Sequence, residues 1–282
     1  MLTRYRKVSL AMLAIVSSAA PCGSRLLELD PLGGWTASQK TGAVVLVKAQ
    51  EGPAATTFSL ENVSGKLVTA IAASSPPTGT TSYRHFYDYL DGSSAGLPNG
   101  ATYEFRISPQ EAASNAQRAI EIDAVLFEDG SADGLQRDID FMNAARLGRA
   151  YETRRISGLL TARSDAQSPD TDALARDIGD LPDSIDAALA SLKDVDLTGL
   201  SLAKLRSPGG TDNQHAFLSG VRNAREEAQW QVKEMRQLPA ASSADPGART
   251  QSTFILALRQ AYGGKTDMYR GLVQQLLGRL PK

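Results

Sequence analysis

The period of the hydrophobic positions changes twice along this chain. At the start, Arg4, Arg6 and Lys7 precede an apolar run over 8–16, and the small residues Ser17, Ser18, Ala19 and Ala20 follow it. A basic stretch, a short apolar core and a small-residue exit are the parts of a secretory signal peptide, so 1–22 is assigned as one. The run is too short for a bilayer, which takes roughly 20 apolar residues. From 43 to 128 the pattern alternates with period two. Residues 43–47 form a β-branched run between turn residues, and 57–60 alternate. Leu67, Thr69 and Ile71 share one face of the next segment, Val68 and Ala70 the other. Tyr83, His85, Tyr87 and Tyr89 line one face of 83–90; Tyr103, Phe105 and Ile107 line one face of 101–107; Ile120, Ile122, Ala124 and Leu126 line one face of 120–127. Side chains two apart in a strand point the same way, so each segment is predicted as a strand.

Past Asp129 the steps become three and four. Leu135, Ile139, Met142, Leu147, Ile156, Leu159 and Leu160 predict a helix within 133–163. Shorter helices follow over 171–181 and 183–192, split by Pro182, which suits the first turn of the second. Thr211 or Asp212 caps a long helix whose stripe is Phe217, Val221, Ala224, Ala228, Val232, Met235 and Leu238, and Pro239 ends it. The last helix carries Ile255, Leu258, Tyr262, Tyr269, Leu272 and Leu276, with Lys265 interrupting the stripe and Gly263-Gly264 weakening its middle. Strands followed by helices predict an α+β chain: an N-terminal antiparallel β-sandwich, immunoglobulin-like, over 23–131, then a C-terminal α-helical bundle over 132–282.

Three stretches carry a resemblance: Phe58-Ser59-Leu60-Glu61-Asn62-Val63-Ser64-Gly65-Lys66; Leu97-Pro98-Asn99-Gly100; and Val125-Leu126-Phe127-Glu128-Asp129-Gly130-Ser131-Ala132-Asp133-Gly134, followed by an Arg-rich helix. Together they resemble a module of uncharacterised exported bacterial proteins, an immunoglobulin-like sandwich leading into a helical extension. The resemblance covers about a third of the chain. It implies a fold and an envelope address, and no catalytic residues.

Composition narrows the chemistry. The formal net charge is −1, which lacks the electrostatic footprint of a nucleic-acid binder. Cys22 is the one cysteine, so neither an intramolecular disulfide nor a cysteine metal site forms. Cys22 stands where a lipoprotein signal has its acylated cysteine, although Pro21 before it departs from that pattern; cleavage after Ala19 gives ordinary secretion instead. A lipid anchor at Cys22 would be the chain's one tie to a membrane.

Asp129, Ser131, Asp133, Gly134 and Asp140 fall at positions 1, 3, 5, 6 and 12 of an EF-hand-like loop, which makes Asp129, Ser131, Asp133 and Asp140 a calcium candidate. Gln136, Arg137 and the short Asp140 depart from that loop. The competing reading is a turn feeding a helix, with Asp133 as its N-cap. No other cofactor is expected. Gly92-Ser93-Ser94-Ala95-Gly96 has the form of a nucleophile elbow, but a turn follows it rather than a helix. Gly264-Lys265-Thr266 lacks the first glycine of a phosphate loop, Arg259 standing there. His85 reads as a packing residue and His215 as a solvated one. Arg146, Arg149, Arg154 and Arg155 read as the solvated side of an amphipathic helix, or as a grip on anionic headgroups. An aspartate-rich stretch over 165–196 precedes a basic stretch to the end, which reads as two solvated faces of one bundle.

With two histidines in separate halves and no catalytic constellation, the expectation is an exported, non-enzymatic cell-envelope protein. It would act in the periplasm or envelope as an interaction or scaffold module with a protein partner. The alternative is a ligand-binding protein or hydrolase with its site between the two halves.

Overall fold

Alternation along 44–127 does produce strands, and the computed structural model arranges them in two sheets. It describes residues 32–78, 81–91, 96–115, 117–163, 171–181, 211–235 and 251–277. The chain divides between Asp30 and Pro31; residues 1–22, expected above to be a signal peptide, fall with Cys22 in the first part, outside the described residues. In the second part the order is β1 (Thr36–Gln39), β2 (Val44–Glu51), β3 (Thr56–Asn62), β4 (Val68–Thr78), β5 (Thr81–Asp88), a one-turn helix (Tyr89–Asp91), β6 (Thr102–Ile107), α1 (Pro109–Ser114), β7 (Ala119–Phe127), β8 (Ala132–Gly134), α2 (Gln136–Arg163), α3 (Thr171–Gly179), α4 (Thr211–Met235) and α5 (Gln251–Leu277). The fold is mixed α+β.

One sheet runs β1-β7-β4-β5, with β8 also on β7; the other runs β2-β3-β6. Neither closes. Their facing sides share a core of Trp35, Val44, Phe58, Leu60, Ile71, Phe105, Ile107, Ile120, Ile122 and Phe127. Trp35 meets the Phe58 ring edge-on at 4.8 Å, and Phe58 stacks on Phe105 at 5.1 Å. Two features depart from a purely antiparallel sandwich ending at 131. β1 pairs with β7 in parallel, and β8 extends the sheet to Gly134. Gly134 holds φ +112° against the β7 backbone; a Cβ there would stand 2.2 Å from the Asp123 carbonyl oxygen. Only glycine turns sheet into helix at that spot.

The larger sheet is buried on its other face too. Small residues Ala70, Ala72 and Ala124 and the Leu126 side chain receive Ile139 and Met142 of α2. The same layer buries charge. Asp123 is 2% exposed, and its Oδ2 accepts the Ser74 hydroxyl at 2.6 Å. Burial pushes this carboxyl above its ordinary range; the Ser74 bond pulls it back, and Asp138 and Glu121 push it further. The unfolded chain loses the proton near pH 4, whereas the folded chain keeps it to higher pH. The stability of the protonated form is therefore complete below about pH 4 and declines as pH rises through the folded value. Asp123→Asn removes the titration. Urea unfolding between pH 4 and 7 is expected to move in the variant's favour relative to wild type as pH rises. A difference constant across that range would count against it.

Behind the sheet, α2 packs along α4. Ala144, Leu147 and Tyr151 meet Ala216, Phe217 and Val221. Further along, Ile156 and Leu160 join Leu174 and Ile178 of α3, Ala228 and Val232 of α4, and Ile255, Leu258 and Tyr262 of α5. Gly263 and Gly264 lie inside α5, which runs unbroken from Gln251 to Leu277.

Candidate functional site

Each sheet ends in a strand with one neighbour. β5 pairs with β4 alone and β6 with β3 alone among the described residues. These two margins lie side by side and enclose an open groove of about 640 Å³. Its floor is Leu60, Ile71 and Ala73. Period-two alternation points His85 and Tyr87 of β5, and Tyr103 and Phe105 of β6, to its inside. Tyr87 and Tyr103 lie 4.1 Å apart across the two sheets, and Tyr89 meets Tyr87 edge-on at 4.7 Å. Burial, then the neighbouring phenols, raise the Tyr89 and Tyr103 hydroxyls well above the usual phenol range. These phenols stay neutral at any physiological pH.

One lining residue, His85, is held by Glu111. Glu111 is 5% exposed, and its Oε1 lies 2.6 Å from His85 Nε2 and accepts the Ser75 hydroxyl at 3.1 Å. Its place is set locally: Ser108 caps α1 and accepts the Glu111 backbone N–H, with Pro109 in the first turn. Ser108 and Glu111 match the Ser-x-x-Glu capping signature, the sequence signal that would have marked this residue. His85 is thus more than a packing residue; it is tied to a buried carboxylate while its ring lies 5.6 Å from Phe105. The groove rim carries Arg84, Glu104 and Arg106. Arg84 stands 4.0 Å from Asp138, whose nearer partner is Arg137 at 3.1 Å.

A second cavity, about 250 Å³, lies between the sheet and the helices, lined by Phe86, Asp88, Phe141, Arg146, Arg149 and Asn223 among others. Here the expectation of a solvated arginine face fails. Arg146 is 7% exposed; its Nε and Nη2 donate to Asp88 at 2.6 and 2.9 Å, and Nη2 also donates to the Thr69 carbonyl. Arg149 faces Glu227 at 3.5 Å, and Arg155 faces Glu152 at 3.0 Å. Only Arg154 is exposed. α2 is covered by the sheet and by α4, so these cations meet protein carboxylates instead of water.

The calcium candidates turn to protein donors. Asp129 accepts the Ser131 backbone N–H at 2.8 Å and the Ser131 hydroxyl, and its other oxygen accepts Lys66 Nζ at 3.0 Å. These bonds, the Ser131 hydroxyl first, hold Asp129 well below the usual carboxylate range. Ser131 Oγ also accepts Lys66 Nζ at 3.0 Å. The Asp133 carboxylate accepts the Thr41 hydroxyl at 2.6 Å and the Gly42 N–H at 3.1 Å, so Asp133 sits in β8 and is not the cap of α2. Asp140 accepts Gln136 Nε2 at 2.9 Å. Lys66 already brings a cation to Asp129 and Ser131. Among the described residues no group of three or more His, Cys, Asp or Glu side chains is placed to hold a metal ion. Millimolar calcium or chelator is expected to move Tm by less than about 1 °C; a calcium-dependent rise would restore the candidate.

Ser94 lies outside the described residues, and His215 is exposed on α4. Lys265, which interrupts the α5 stripe, donates to Glu227 at 2.6 Å rather than marking a phosphate loop. No helix among the described residues is long and apolar enough to cross a membrane. No protein-family model, curated protein or solved structure matches the chain.

Proposed function

We propose that the chain is an exported, non-enzymatic interaction module of the cell envelope, and that it engages a protein partner through the groove between β5 and β6. The observation that carries this reading is the groove itself: two sheet margins without a further strand among the described residues, facing each other across an aromatic lining. Sheet edges and their flanking pockets are a recurrent surface for protein recognition. The same reading takes the two sheets as an immunoglobulin-like sandwich and α2–α5 as a bundle that supports it. Export rests on the order of basic, apolar and small residues over 4–20, and Cys22 offers a lipid anchor there.

The test is photo-cross-linking in whole cells from a reactive residue placed at Tyr103, followed by capture and mass spectrometry. A reproducible envelope protein captured from Tyr103, and not from His215 on α4, is the expected result. No partner above background from Tyr103 overturns the reading. The 250 Å³ cavity supports a second reading, a small-ligand site between the sheet and the helices, because aromatic and cationic side chains converge there.

A further inference from the structure

We infer that β5 is completed by an added strand, an extended polypeptide segment bearing acidic and apolar side chains in alternation; this rests on the groove reading above and names its occupant.

Three observations converge on β5. First, its outer edge has no strand partner among the described residues, so no described strand pairs with its backbone donors and acceptors there. Second, Phe86 is 37% and Tyr87 40% exposed. They are consecutive, so they project from opposite faces of the strand. An inner strand of the same sheet buries both faces; Ile120, Ile122, Ala124 and Val125 of β7 are each 0% exposed. Aromatics half-covered on both faces are what an edge strand shows when its outer neighbour is missing. Third, of the devices that blunt edges, β5 carries over 84–88 only its own charges, Arg84 and Asp88. β1 is four polar or small residues, β8 is three residues long, β2 carries Lys48 beside a bulge, and β6 alternates Glu104 and Arg106 on its exposed positions. From Arg84 to Asp88, β5 has neither proline, lysine nor bulge.

Charge selects the occupant. Arg84 shares its face with Phe86 and Asp88, two and four residues on. Asp88 is occupied by Arg146. Arg84 stands 4.0 Å from Asp138, which is already held by Arg137, and it remains a third exposed. A strand added along β5 places a side chain directly opposite Arg84. A carboxylate there is favourable and an ammonium is not. Five residues of strand span about 17 Å, so the segment needs five or six residues. Alternation then places its carboxylates along the face of Arg84, Phe86 and Asp88 and its apolar side chains opposite His85 and Tyr87.

The probe is an acetylated, amidated octapeptide alternating glutamate and valine, added to the full chain, with amide hydrogen exchange as the readout. A lysine–valine counterpart and a glutamate–valine peptide N-methylated at alternate amides are the controls. The expected result is slowed exchange across 84–88, loss of binding on N-methylation, and affinity at least about tenfold above the lysine peptide. Arg84→Glu should reverse that preference while leaving N-methylation sensitivity intact. No binding at millimolar peptide, protection at β2 or β6 instead of β5, or equal affinity for both charges overturns the inference. A partner captured from Tyr103 together with an unresponsive β5 overturns this inference and leaves the groove reading standing.

Discussion

Gly220→Ala is expected to destabilise the protein by about 3 kcal/mol, and Gly148→Ala by a similar amount, because at these two positions α2 and α4 touch through backbone. A Cβ on Gly220 would stand 2.0 Å from the Ala145 carbonyl oxygen, and one on Gly148 1.9 Å from that of Phe217. Neither neighbour is the end of a flexible side chain, so the helices themselves must part. Parting them opens the packing of Leu147, Tyr151, Phe217 and Val221. The control is Gly158, in the same helix α2, whose Cβ would meet nothing within 4 Å. There alanine should stabilise by about 0.5–1 kcal/mol, through helix propensity alone. Denaturant midpoints of the three variants decide the matter. Gly158→Ala and Gly220→Ala shifting in the same direction would refute the close crossing.

One turn along from Gly148, Glu152→Ala is expected to cost about 3–5 kcal/mol. Glu152 is fully buried, its Oε1 accepting Arg225 Nε at 2.8 Å and its Oε2 accepting Arg155 Nη1 at 3.0 Å. Removing the carboxylate takes from Arg225, a residue 9% exposed, the acceptor of its Nε in the helix interface. The cost is that of breaking a buried pair from one side and not the worth of the pair. Replacing both partners by apolar residues, as in Glu152→Leu with Arg225→Met, should therefore recover most of the loss. A four-member cycle of unfolding free energies measures both effects. A single variant within about 1 kcal/mol of wild type would show that water reaches Arg225 and that the interface is looser than its geometry.

These two sites share a stripe of which periodicity revealed only Ala224. Ala144, Gly148 and Glu152 recur at steps of four on α2, opposite Ala216, Gly220 and Ala224 on α4. A search for large apolar residues passes over small ones, yet here the small ones set the distance between helices. The search worked well where a helix has one buried side. On α4 the stripe Phe217, Val221, Ala224, Ala228 and Val232 is buried at each position. It worked less well on α2, which is covered by the sheet, α4 and α5. Met142, Leu147, Ile156 and Leu160 are buried there, but so are Arg146, Glu152 and Thr153.

The site divides in the same way. Alternation placed His85 and Tyr87 on one face of their strand and Tyr103 and Phe105 on one face of theirs, and all four line the groove. Nothing local said that the β5 and β6 margins would lie beside each other, nor that Glu111 would meet His85.

What the sequence by itself determined is local: which segments extend and which coil, because side-chain period follows directly from backbone geometry. It did not fix the faces of β7, where a register shift sends Ile120 and Ile122 to the core between the sheets and Ala124 and Leu126 to α2. What only the tertiary structure decided is pairing between distant segments. The parallel docking of β1 on β7, the burial of Arg146 against Asp88 and the capture of Asp133 by Thr41 all join residues far apart in the chain. A charged side chain is read as solvated until a counter-charge is brought to it, and that meeting depends on the packing of whole elements.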